Sequence, residues 1–124
     1  MDIIISNASD QPIYEQIARQ IQSQIVRGEL PEGELLPSIR RLAKDLQVSV
    51  ITTSRAYEEL ARDGFVNMVA GKGCYVAAQN EALLKERRLK MVEDSLTKGV
   101  EAARDMGMPL TELIELVKVL YREE

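Results

Sequence analysis

One short stretch of the chain carries side chains that suggest a chemistry. It is Ser49-Val50-Ile51-Thr52-Thr53-Ser54-Arg55. Hydroxyls at the start of a helix can bond phosphate or base edges, and Val50 or Ile51 could meet a thymine methyl. The helix N-terminus itself favours a phosphate. Upstream stand Ser38, Arg40 and Arg41, with the two arginines in the first turn of their own helix. A cation there opposes the helix dipole, which points to a purpose outside the helix. Downstream, Lys72 stands between Gly71 and Gly73, on a tip that could reach a nucleic-acid backbone or minor groove. This is the chemistry of meeting a polyanion along one surface.

Catalysis has little to draw on. The 124 residues contain no histidine and no tryptophan, and one cysteine, Cys74. Without histidine there is no Ser-His-Asp or Cys-His nucleophile system, and most zinc sites are lost. A single cysteine allows no intramolecular disulfide and fits a reducing compartment. No apolar run approaches the ~20 residues needed to span a bilayer. Met1-Asp2-Ile3-Ile4-Ile5 lacks the positive start and cleavage site of a secretory signal. The expectation is a soluble cytoplasmic protein with no enzymatic activity, no cofactor, no metal and no membrane contact.

The net charge of −4 is unevenly spread. Residues 1–34 carry a net of −4, residues 35–78 a net of +2, and residues 79–124 a net of −2. A general polyanion binder would be basic throughout. Here only the middle segment, which holds Arg40, Arg41, Arg55 and Lys72, suits one local anionic contact.

Those residues need elements to position them. Residues 1–9 read as a short arm. Asp10-Gln11-Pro12 reads as a helix start, with a capping carboxylate and proline in the first turn. Ile13, Ile17, Ile21 and Ile25 then form a stripe, which predicts a helix of about five turns ending at Gly28. Gly28 to Glu34 is read as a loop. Ser38 caps a second helix, with Ile39, Leu42, Ala43 and Leu46 on its apolar side. Ser49 caps a third, continued by Thr52, Thr53, Ala56, Tyr57 and Leu60 and stopped by Gly64. Two short helices joined by a tight turn describe a helix-turn-helix. Phe65 to Val69 and Cys74 to Val76, around a glycine-rich turn, predict a hairpin. From about Gln79 two further amphipathic helices follow, broken at Gly107 and Pro109.

The fold class expected is therefore mainly α with a small β-hairpin: a winged helix-turn-helix over residues 1–78, then a two-helix tail over residues 79–124. The tail is too small to enclose its own core. Its apolar residues, Leu89, Val92 and Leu96 on one helix and Leu113, Val117 and Leu120 on the other, need another surface. A second copy of the chain is the simplest candidate.

Other motifs carry less. Gly28 and Gly33 imitate half of a P-loop, but Glu34-Leu35 stand where its lysine and hydroxyl belong. Glu58-Glu59 is read as solvated, Tyr14 and Tyr57 as packing, Cys74 as a small buried residue, and Met106 and Met108 as a hinge.

Taken in order, Pro12-Ile13-Tyr14-Glu15-Gln16-Ile17, Gly28-Glu29-Leu30, Leu36-Pro37-Ser38-Ile39-Arg40-Arg41-Leu42-Ala43, Ser54-Arg55-Ala56-Tyr57-Glu58-Glu59-Leu60, Asp63-Gly64-Phe65 and Gly71-Lys72-Gly73 resemble the N-terminal domain of GntR-family transcription regulators. The resemblance covers roughly residues 10–78. Ser54-Arg55-Ala56-Tyr57 and the short tail resemble the YtrA-type subfamily. The resemblance implies a sequence-specific transcriptional regulator, usually a repressor, that binds an inverted-repeat operator in double-stranded DNA as a homodimer. It implies that Ser38 and Arg40 contact DNA from the second helix, and that Ser49, Ile51, Thr52 and Thr53 face the groove from the third. Lys72 and Gly73 would sit on the wing. Arg41 and Arg55 complete the expected DNA-binding set. The chain departs from the family pattern at Val50, where many members carry arginine, and at Arg41, where glutamate is common. A small-molecule effector is possible but not evident. The alternative is a winged helix that binds a protein and no operator.

Overall fold

The isoleucine stripe accounts for the first helix. In the computed structural model, which describes residues 1–123, α1 spans Ile13–Val26. Ile17, Ile21, Ile25 and Val26 are buried along it, with Ala18 beside them. The helix is 14 residues long, about four turns rather than five. Its start also differs from expectation. Pro12 occupies the cap position and no side chain caps the helix, so Asp10 is not a capping carboxylate. The Pro12 carbonyl instead accepts the amides of Glu15 and Gln16, and the fixed proline φ sets the entry.

The arm before α1 is tied down by three glutamines. Gln16 accepts from the Ser6 amide and donates to the carbonyls of Ser6 and Gln11. Gln20 accepts from the Ile4 amide at 2.8 Å and donates to the Ile4 carbonyl at 2.7 Å. Gln24 donates to the Asp2 carbonyl at 2.7 Å. Their spacing by one helical turn, ~6 Å, matches two residues of extended chain, ~6.6 Å.

Serine caps start the next two helices. Ser38 Oγ accepts the Arg41 amide at 3.1 Å, and α2 runs Ile39–Leu46. Gln47, at φ 57, ends it in the left-handed region. Ser49 Oγ accepts the Thr52 amide at 3.0 Å, and α3 runs Val50–Arg62. The third helix packs on both α1 and α2, burying Thr53, Ala56, Tyr57 and Leu60.

Strand β1 (Val66–Val69) pairs antiparallel with β2 (Gly73–Val76), with Val66 opposite Val76 and Val69 opposite Gly73. The end of the segment read as a loop joins this hairpin. The Gly33 amide donates to the Val76 carbonyl, the Val76 amide to the Glu34 carbonyl, and the Leu36 amide to the Cys74 carbonyl. Leu35 bridges Tyr75. This third edge supports a hairpin too short to stand alone. It also explains a glycine: Gly73 lies at φ 121, and a Cβ there would sit 3.0 Å from the Leu35 side chain. Leu30, Leu36, Leu42, Tyr57, Leu60, Phe65, Val66 and Val76 complete the core.

Two compact units result, Met1–Leu84 and Lys85–Glu124. The division falls in the first turn of α4 (Glu81–Asp105), a little beyond residue 78. Gln79 holds the preceding segment to the first unit by donating to the carbonyls of Gly64 and Ala77. Asn80 Oδ1 accepts the Leu83 amide and so starts α4. In the second unit, Gly107 at φ 72 breaks the chain between α4 and α5 (Leu110–Arg122). Leu89, Val92, Leu96, Val117 and Leu120 are exposed, and Leu113 is half-buried.

Candidate nucleic-acid interface

The leading turns of α2 and α3 and the hairpin tip all belong to the first unit. Ser38 and Arg40 are exposed at the start of α2. Arg41 is exposed too, with its Nε 3.6 Å from Asp45 Oδ2 in an open ion pair that holds it weakly. Lys72 and Gly73 are exposed at the hairpin turn, which closes with the Lys72 amide on the Val69 carbonyl. An open cleft of about 520 Å³ runs between α2 and the hairpin. Its walls include Pro37, Ser38, Ile39, Lys72 and Gly73, so the α2 start and the tip border one space.

On α3, Ser49 is exposed, Thr52 is half-buried, and Ile51 is 81% exposed. Two of the expected contacts are engaged within the protein. Thr53 is 0% exposed, and its hydroxyl donates to the Ser49 carbonyl at 3.1 Å. It belongs to the packed face of the helix and does not face a groove. The sequence held this signal, because Thr53 precedes Ala56, Tyr57 and Leu60 by three, four and seven residues. Arg55 is solvent-exposed but turned toward α1, its guanidinium carbon 3.8 Å from the centroid of the Tyr14 ring.

Sequence reasoning also passed over Met68 and Val69, which line the cleft and are 46% and 42% exposed. Among the described residues no group of His, Cys, Asp and Glu is placed to hold a metal ion. None of the described helices is long and apolar enough to cross a membrane.

The family model "Bacterial regulatory proteins, gntR family" matches residues 13–76, from the start of α1 to the end of β2. The chain belongs to the GntR family. It is 34% identical over 116 residues to the HTH-type transcriptional repressor YtrA of Bacillus subtilis, covering 94% of this chain and 89% of that one. That places it in the YtrA-type subfamily. A GntR family transcriptional regulator from Listeria monocytogenes has a similar structure, with TM-score 0.77 and 27% identity over 92% of this chain and 97% of that one. The AraR DNA-binding domain, solved in complex with operator ORX1, matches with TM-score 0.55 and 25% identity over 62% of this chain and 96% of that one. The family is one of regulators, and this chain is a transcriptional regulator and not an enzyme.

In this GntR-family chain α2 and α3 form the helix-turn-helix, and β1 and β2 form the wing. Tyr57 ties α3 to the start of α2. It is buried on α3, and its hydroxyl donates to the Pro37 carbonyl at 2.7 Å, just before the α2 cap. Burial, and then the nearby Cys74, push its phenol above the ordinary value. Burial alone pushes the Cys74 thiol up to about 11.

Proposed function

We propose that this protein is a sequence-specific repressor that binds an inverted-repeat operator as a homodimer in the cytoplasm. One observation carries the reading. Ser38, Arg40 and Arg41 at the start of α2, the exposed leading turn of α3 and Lys72 on the wing are presented by a single packed unit. A helix N-terminus on a unit that also exposes cations suits the major groove between two phosphate backbones. The operator-bound AraR domain supports DNA as the partner, and the YtrA likeness supports repression.

In this reading residues 1–78 bind DNA and residues 79–124 join two copies. Leu89, Val92, Leu96, Leu113, Val117 and Leu120 supply the dimer face. Most of that apolar surface is exposed in the single chain, which supports burial against a second copy. An effector, if one exists, binds within this dimer.

Selection from a randomised duplex library, near physiological salt and with excess non-specific DNA, tests the reading. The expected product is an inverted repeat with half-sites about one helical turn apart. Arg40→Ala should weaken all duplexes and lower the salt slope by about one. A folded dimer that enriches no sequence would favour a protein-binding module instead.

A further inference from the structure

The leading turn of α3 is short of the groups that usually read bases. Bidentate major-groove recognition of guanine and adenine relies on arginine, lysine, asparagine or glutamine. Residues 49–54 contain none of these. Gln47 lies in the turn before the Ser49 cap, and Arg55 is held over Tyr14.

Three of the four hydroxyls of this turn donate within the protein. Ser49 Oγ accepts the Thr52 amide and donates to Thr52 Oγ1 at 2.8 Å. Thr53 is buried on the Ser49 carbonyl. Ser54 Oγ lies 3.5 Å from Glu58 Oε1. The large side chains that project are apolar: Val50 is 48% exposed and Ile51 is 81% exposed. Two adjacent β-branched residues gain little at an exposed helix start, neither from helix propensity nor from burial. Arg40, Arg41 and Lys72 are exposed on the same compact unit and give it positive charge. That charge favours a polyanion over an apolar protein surface as the occupant.

Among the base edges in the major groove, the only apolar group is the thymine 5-methyl. We propose that Ile51, with Val50 beside it, reads thymine methyl groups, so that operator half-sites carry thymine beneath the first turn of α3. This rests on the DNA-binding reading above, and it names the base chemistry that reading leaves open.

The test uses the full-length protein and the operator recovered by selection. Each thymine of a half-site is replaced by deoxyuridine, which removes the methyl and keeps the hydrogen-bonding edge. Wild-type protein should lose about four-fold in affinity for each contacted methyl. Ile51→Ala should bind the thymine operator several-fold more weakly and should no longer distinguish thymine from deoxyuridine at one position. Because Ile51 is exposed, this variant should unfold like the parent in urea, and Val50→Ala serves as a second probe. The proposal falls if wild type binds both operators equally. It also falls if Ile51→Ala and Val50→Ala each keep the full deoxyuridine penalty, or if the half-sites hold no thymine. Failure to select any duplex is a separate result, and would overturn the DNA-binding reading along with this one.

Discussion

The guanidinium carbon of Arg55 lies 3.8 Å from the centroid of the Tyr14 ring, joining α3 to α1. An arginine on the helix proposed to meet DNA is thereby engaged by an aromatic ring of the protein itself, where it helps set how α3 leans on α1. A cation–π contact at an exposed site contributes about 0.5–1 kcal/mol. Arg55→Ala and Tyr14→Leu should therefore each destabilise the fold, with a coupling of that size in a double-mutant cycle of urea unfolding. The operator sequence selected by Arg55→Ala should match that of the parent. A changed sequence would return Arg55 to the base-reading set.

Thr53 should behave as a core residue. Thr53→Val removes the hydroxyl bond to the Ser49 carbonyl, but that carbonyl keeps the Thr53 amide at 3.2 Å. The expected loss is about 1 kcal/mol in urea unfolding, with operator affinity unchanged at matched folded protein. A base-specific loss of binding would place Thr53 in the groove after all.

The arm gives a third prediction. Gln20 holds both the amide and the carbonyl of Ile4. In deuterium exchange the Ile4 amide should be slow, and Gln20→Ala should release it. Gln16→Ala should be worse, because Gln16 is only 7% exposed and its loss strips three backbone groups of partners. Its expected effect is about 1–3 kcal/mol. Fast exchange at Ile4 in the parent would show that the glutamine ladder does not hold in solution.

Cys74 sets a pH limit. Burial raises its thiol from 9.0 to about 11. The folded protein therefore keeps a proton that the unfolded chain releases. This contribution to stability is fully present below about pH 9 and is lost as pH rises toward 11. Tyr57, raised in the same direction by burial, adds to the fall at higher pH. Cys74→Val should flatten the decline in melting temperature between pH 9 and 11. At neutral pH the parent thiol should react slowly with iodoacetamide, because the thiolate is the nucleophile. Rapid labelling of the folded protein would contradict this burial.

Short-range rules in the sequence account for much of the fold. The four isoleucines made α1 legible, and Ser38 and Ser49 marked the starts of α2 and α3 by the backbone amides they cap. The motif order pointed to the GntR family, now supported over residues 13–76. Other features stayed hidden because they depend on distant partners. The Gly33 to Leu36 edge is paired only when β2 offers its carbonyls and amides. Glutamines look like ordinary helix surface until an extended arm lies alongside at matching spacing. The site divides in the same way. Sequence placed hydroxyls, β-branched residues and an arginine together in residues 49–55. Which of them faces outward was decided by the packing of α3 on α1 and α2. That packing buries Thr53 and draws Arg55 onto Tyr14. Ile51 is left in solvent, because a helix can turn only one side toward its core.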